Sequence, residues 1–168
     1  MKLYLAILSL IILTAAPAFA QENDVIYRSD PIFEGVSDDG SHPLEGLFEL
    51  ANEGDARALF ILGDLYSKGK GGVEQDLPAA KEMFEHSAKL GAPEALIRLA
   101  ALAKAEGDNM QAYTWYQAAE RRLTDGRSIK FVREAQEALP LEWGQKRDAA
   151  KAARDWEITK LVPLRLNE

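Results

Sequence analysis

Cysteine is absent from the 168-residue chain, and histidine occurs only as His42 and His86. Without cysteine there is no disulfide, no thiolate metal site, no cysteine nucleophile and no lipoprotein-type anchor. The two histidines lack metal-ligand spacing, so we expect solvated or half-buried roles for both. We predict no metal, no cofactor and no catalytic residue, and the fold must depend on its apolar core.

Basic residues are also comparatively few, with 20 Lys and Arg against 27 Asp and Glu and a net charge of −7. This balance argues against a nucleic-acid ligand. Apolar residues make up 47% of the chain and charged residues 28%, as in a folding globular protein. Alanine and leucine dominate and favour helix. At this length we expect one domain with one core.

Catalytic motifs are scarce as well. The chain has no Gly-x-Ser-x-Gly elbow. The glycine-rich loop Gly69-Lys70-Gly71-Gly72 lacks the order of a phosphate-binding loop, and we expect a turn there. The stretch Ser37-Asp38-Asp39-Gly40 is too short for a calcium loop. The sequence therefore favours a protein that is not an enzyme.

Residues 1–20 resemble a secretory signal peptide. Lys2 precedes an apolar run over residues 3–13, and Ala18-Phe19-Ala20 has the small-x-small pattern of a cleavage site. An uncleaved membrane anchor is the alternative, but the run is short for a span of about twenty residues. We predict cleavage after Ala20, no stable membrane insertion afterwards, and a periplasmic or secreted protein. The absence of Asn-x-Ser/Thr acceptors favours the bacterial periplasm.

Residues 21–43 form an acidic stretch with six acids against Arg28 alone. Gly, Pro, Ser and Asp cluster towards its end, and no helical or strand period is sustained. We interpret this segment as a linker or arm.

From Leu44 onward the apolar residues follow a helical period, for example at Leu47, Leu50 and Ala51. Glycines predict where the helices end, and aspartates or a first-turn proline predict where the next ones begin. The predicted ends are Gly54, Gly69, Gly91 and Gly107, and the predicted starts include Asp76, Pro93 and Asp108.

An internal repeat appears when the chain is shifted against itself. A shift of 37 pairs Leu47 with Phe84, Ala51 with Ala88, Gly54 with Gly91, Ala58 with Ala95, Leu59 with Leu96, and Leu62 with Leu99. A shift of 32 pairs Ala80 with Ala112, Met83 with Trp115, and Phe84 with Tyr116. The repeating unit is a helix hairpin.

The pattern Ala58-Leu59-x-x-Leu62-Gly63-x-x-Tyr66-x-x-Gly69-x-Gly71-Gly72-Val73-x-x-Asp76-x-x-Ala79-Ala80 resembles the Sel1-like repeat signature. It departs from that signature in an extra glycine before Val73 and in Met83-Phe84 where the family often has Trp-Tyr. The resemblance covers residues 44–122. It implies an all-α fold, a short α-solenoid of antiparallel TPR-like hairpins, with residues 123–168 as capping helices.

Close helix packing explains the signature physically. Two helices approach closely where one presents a small residue and the other fills the space with a ring. The small positions are Gly63 and Ala100, and the expected fillers are Tyr66, Phe84, Trp115 and Tyr116.

Two segments beyond residue 122 are expected to close the stack. One includes Phe131 and Val132, and the other carries Ala149, Ala153 and Trp156 at i, i+4 and i+7. Trp143 and Trp156 either close the core or anchor a partner, and we favour closure.

The resemblance implies that the first helix of each hairpin lines a concave surface that holds a protein or peptide. The candidate residues there are Arg57, Asp64, Lys68, Glu94, Arg98 and Ala101, unless they are merely solvated. We therefore predict an exported adaptor, regulator or inhibitor of another envelope protein. The alternatives are a hydrolase related to secreted Sel1-like β-lactam-binding proteins, whose disulfides are missing here, and a purely structural envelope protein.

Overall fold

The computed structural model describes residues 44–156, and this part of the chain consists of seven α-helices with no strand. The helices are α1 (Leu44–Asn52), α2 (Ala56–Lys68), α3 (Leu77–Lys89), α4 (Pro93–Ala105), α5 (Asn109–Glu120), α6 (Gly126–Glu137) and α7 (Trp143–Asp155). The all-α prediction is confirmed for these residues. The predicted signal peptide, the acidic arm with His42, and residues 157–168 lie outside the described part.

Aspartate starts four of the helices. Side chains of Asp55, Asp76, Asp108 and Asp125 accept hydrogen bonds of 2.8–2.9 Å from backbone N–H groups in the first turn that follows. These bonds satisfy donors that a helix start leaves unpaired. The same bond from the Ser128 N–H lowers the pKa of Asp125. The predicted caps at Asp76 and Asp108 are confirmed.

Glycine ends the helices where the sequence predicts it. Gly54, Gly69, Gly91 and Gly107 all adopt positive φ angles between 62° and 106°. At Gly69 the left-handed backbone also brings the chain close to Gln75, whose backbone nitrogen would lie 3.1 Å from an added Cβ. A residue with a side chain would be strained there.

Helices that follow one another along the chain pack together from α1 to α5. The most extensive contacts join α2 to α3 and α4 to α5, while α6 and α7 both pack on α5. A hydrogen bond of 2.6 Å from the Ser87 hydroxyl to the Ala56 carbonyl links α3 to the start of α2. No described helix is long and apolar enough to cross a membrane.

The apolar residues that the two sequence shifts pair lie in the core. Every residue paired by the two shifts, apart from the helix-ending glycines, is buried. Residues 47–119 contain further buried positions that these pairs do not include, among them Phe60, Leu65 and Ile97, so the two shifts identified part of the core.

Gly63 allows the closest approach within the α2–α3 pair. A Cβ added to Gly63 would lie 2.7 Å from Cε1 of Phe84, closer than real side chains come. Phe84 is fully buried, and its ring lies 5.6 Å from that of Phe60. Ala100, Trp115 and Tyr116 are buried as predicted. Tyr66 is only half-buried, so it fills less of the core than expected.

Leu50 was expected on the apolar stripe of α1 but is 46% exposed. Its neighbours Leu47 and Ala51 are buried, and α1 packs extensively only on α2 within the described residues. Because α1 packs on one helix only, that contact buries fewer of its apolar residues than the sequence pattern predicts.

The last helices divide the two ambiguous tryptophans. Ala149 and Ala153 are buried where α7 meets α5, and the Trp156 ring stands edge-on to Trp115 with centroids 5.6 Å apart. Closure is confirmed for Trp156. It is wrong for Trp143, which is 75% exposed, because the first residue of α7 lies on a different side of the helix from the buried alanines.

Candidate protein-binding surface

An ion pair joins α2 to α4. Nη2 of Arg98 lies 2.9 Å from Oδ1 of Asp64, and the side chains are only 11% and 21% exposed. The two atoms are not aligned as a hydrogen bond, so the attraction is chiefly coulombic. Lys68, one turn beyond Asp64, also pairs with that carboxylate. The Arg98 guanidinium lies 5.9 Å from the centre of the Phe60 ring.

A shift of 37 along the sequence matches both members of this pair with apolar residues. It matches Arg98 with Ile61 and Asp64 with Ala101. Burial of a charge is costly unless it is paired, which the geometry satisfies.

The other predicted surface residues flank this ion pair. Arg57, Asp64 and Lys68 are spaced by seven and four residues, so they lie along one side of α2. Glu94, Arg98 and Ala101 are spaced by four and three along one side of α4. Arg57 and Lys68 are exposed, and Glu94 and Ala101 are half-buried. Lys68 and Arg98 each contact the Asp64 carboxylate, and Arg98 contributes little exposed surface.

His86 is half-buried on α3. Burial, followed by the nearby Lys89, lowers its pKa. In the described part of the chain no three His, Asp or Glu side chains are grouped to hold a metal ion.

A second polar cluster, not predicted from the sequence, joins α5 to α6. Nε of Arg133 lies 2.6 Å from Oε1 of Glu120, and the Gln117 amide donates to Gln136 over 3.0 Å. The cluster borders an open depression of about 260 Å³ lined by Tyr113, Glu120, Arg133, Gln136, Glu137 and Lys146. Burial, and then the charge of Glu120, raises the pKa of Tyr113. The cluster's groups bond mainly to one another, as in a structural link.

A Ser-x-x-Lys order, which β-lactam-binding enzymes use, occurs once after the predicted leader, at Ser67 and Lys70. Gly69 ends α2 between the two residues in a left-handed conformation. The Ser67 hydroxyl donates a 2.8 Å hydrogen bond to the Asp64 carbonyl. The serine is therefore bonded to its own helix, and the lysine does not follow it on a continuous helical turn.

Comparison of the chain with protein-family models, curated proteins and solved structures finds no match. The Sel1-like resemblance thus depends on the signature residues and on the repeat that they form.

Proposed function

We propose that this protein is an exported, periplasmic protein–protein interaction module whose residues 44–122 form a short α-solenoid of Sel1-like hairpins. Its partner is a segment of another envelope protein, held along α2 and α4. The observation that supports the proposal is the Asp64–Arg98 ion pair, because it joins α2 to α4, which the proposal takes as the first helices of two successive hairpins.

Because the ion pair joins α2 to α4, the neighbouring exposed side chains of these two helices form one continuous surface in this proposal. Arg57 and Lys68 supply exposed cations along α2, and Glu94 supplies an anion on α4. Mixed charges over a surface two helices wide fit a polar peptide or a single helix better than a large globular face. The partner's charges determine its register, and the Arg98–Asp64 pair keeps the two helices in place.

Cross-linking in cells followed by purification of the tagged protein tests this proposal. Arg57→Glu/Lys68→Glu reverses two exposed charges and leaves the buried Arg98 in place. The matched control is Arg127→Glu/Lys130→Glu, which reverses two exposed charges on α6. We expect one stoichiometric partner that the first variant loses and the control retains.

Equal capture by both variants, or substrate turnover in the absence of any partner, would contradict the binding role. The proposed compartment has its own readout. The N-terminal residue of the protein recovered from the periplasmic fraction should be Gln21.

A further inference from the structure

The outer side of α7 carries a basic stripe that begins with an exposed tryptophan. Trp143, Arg147, Lys151 and Arg154 follow one another at intervals of four, four and three residues, so they lie along one side of the helix. All four are exposed. The Arg147 guanidinium lies 5.3 Å from the centre of the Trp143 ring and also bonds Asp148. Lys151 and Arg154 make no ion pair within residues 44–156.

A complementary patch lies on α1. Glu49 and Leu50 lie in the last turn of α1, and Glu53 lies in the turn that follows, where its backbone N–H donates to the Glu49 carbonyl over 3.0 Å. All three residues are exposed. The α1 patch combines one apolar side chain with two carboxylates, and the α7 stripe has an aromatic end followed by three cations.

The net charge of the described residues is likewise negative in the part that contains α1 and positive in the part that contains α7. Residues 44–120 carry thirteen acids and seven bases, whereas residues 121–156 carry nine bases and six acids. The first part therefore has a net charge of −6 and the second a net charge of +3. Opposite net charges steer two copies towards contact between unlike parts.

We propose that copies of this chain associate head to tail, with the α7 stripe of one copy bound to the α1 patch of the next. Leu50 packs on the Trp143 ring, and Glu49 and Glu53 pair with the cations of the α7 stripe. Because the two surfaces differ, each copy keeps one surface of each kind available, and the contact extends into longer assemblies.

A second copy fits the α7 stripe better than an anionic membrane does. Asp148 and Asp155 lie beside the stripe on the same helix. A flat anionic surface would meet these carboxylates as well as the cations, whereas a single narrow helix meets only the stripe.

Sedimentation velocity of the purified protein, from micromolar concentration to about 1 mM, tests the proposal in the range where small interfaces associate. We expect the average mass to rise with concentration and to fall when salt is added. Glu49→Lys/Glu53→Lys and Arg147→Glu/Lys151→Glu should each remain monomeric. Arg121→Glu/Arg127→Glu, which reverses two exposed charges outside both surfaces, should associate like the unmodified protein.

Mixing the two monomeric variants distinguishes a specific contact from a general charge effect. In the mixture, the unmodified α7 stripe of one variant meets the unmodified α1 patch of the other. The two reversed surfaces also carry opposite charges, so association should return. A mass independent of concentration in the unmodified protein overturns the proposal, as does a mixture that stays monomeric. Binding of a monomeric protein to vesicles with one-third phosphatidylglycerol would assign the α7 stripe to a membrane surface and also overturn it.

Discussion

Arg98 of α4 contacts Asp64 of α2, with 2.9 Å between Nη2 and Oδ1. A shift of 37 along the sequence matches Arg98 with Ile61 and Asp64 with Ala101, which are both apolar. The pair joins α2 to α4, and the proposed binding surface depends on the alignment that it gives to the two helices.

Removing one member of this pair is expected to destabilise the fold. Arg98→Ala leaves the Asp64 carboxylate half-buried with only Lys68 as a partner, which should lower the free energy of unfolding by about 1–3 kcal/mol. The double variant Asp64→Ala/Arg98→Ile takes its residues from the matching positions 101 and 61. Its stability should lie within about 1 kcal/mol of the unmodified protein, because apolar replacement of a buried ion pair is often neutral.

Urea unfolding of Asp64→Ala, Arg98→Ile and the double variant gives the coupling energy from a double-mutant cycle. Strictly additive losses in the double variant would show that the two side chains do not act as a pair. Arg127→Ala on α6, an exposed charge away from this ion pair, is the control and should change stability by less than about 0.5 kcal/mol.

Tyr116 is expected to make the free energy of unfolding fall as the pH rises above 10. Its side chain is fully buried, its hydroxyl has no hydrogen-bond partner in the described structure, and burial raises its pKa to about 12. An unfolded tyrosine ionises near pH 10, so the native state retains its proton longer. The contribution of Tyr116 is complete below pH 10 and is lost as the pH rises towards 12, by roughly 2–3 kcal/mol.

Tyr116→Phe isolates this effect from the other tyrosines. At neutral pH the variant should be as stable as the unmodified protein or up to about 1 kcal/mol more stable, because a buried unpaired hydroxyl is removed. Between pH 10 and 12 its advantage should increase. Unfolding free energies that fall in parallel for the two proteins would show that Tyr116 ionises normally.

The two tryptophans of the last helix should behave differently. Trp156 contacts Trp115 edge-on and lies 4.8 Å below the Arg122 guanidinium, so Trp156→Ala should cost about 2–3 kcal/mol through lost ring contacts and burial. Trp143→Ala is the matched control. It should change the stability of dilute protein by less than about 0.5 kcal/mol.

Thermal unfolding followed by circular dichroism compares these two variants without relying on tryptophan fluorescence. Equal losses would contradict the division between a packed Trp156 and an exposed Trp143. A larger loss for Trp143→Ala would require that its ring be covered by protein.

The sequence predicted local features of the fold well, because single residues determine them. Positive φ at Gly54 and Gly69, or a carboxylate that caps a helix at Asp76, has a chemical cause within a few positions of the chain. The apolar residues that the two shifts pair are buried, as a shared pattern of apolar positions predicts. Gly63 was identified from the Sel1-like resemblance and from the need for a small residue where two helices pack closely.

Contacts between helices were not predictable in the same way. Arg98 and Asp64 are 34 residues apart, and Glu120 and Arg133 are 13 apart, so their pairing depends on the rotation of each helix about its axis. The exposure of Trp143 likewise depends on which side of α7 faces α5. Such rotations result from packing over whole helices and leave no short-range pattern.

Two helical glycines test the close packing on which the hairpin interpretation depends. Gly144 of α7 has open space around it, with no atom within 4 Å of an added Cβ. Gly144→Ala should therefore increase the free energy of unfolding by up to about 1 kcal/mol through helix propensity. At Gly63 an alanine would gain the same helix propensity, but its methyl group would meet the Phe84 ring.

The most direct measurement is the free energy of unfolding of Gly63→Ala beside that of Gly144→Ala. The added methyl group overlaps the Phe84 ring, so we predict that Gly63→Ala loses about 1–3 kcal/mol, that Gly63→Leu loses more, and that Phe84→Leu relieves part of the loss. If Gly63→Ala is as stable as Gly144→Ala, or if Gly63→Leu leaves the melting temperature unchanged, the close packing of α2 on α3 is contradicted.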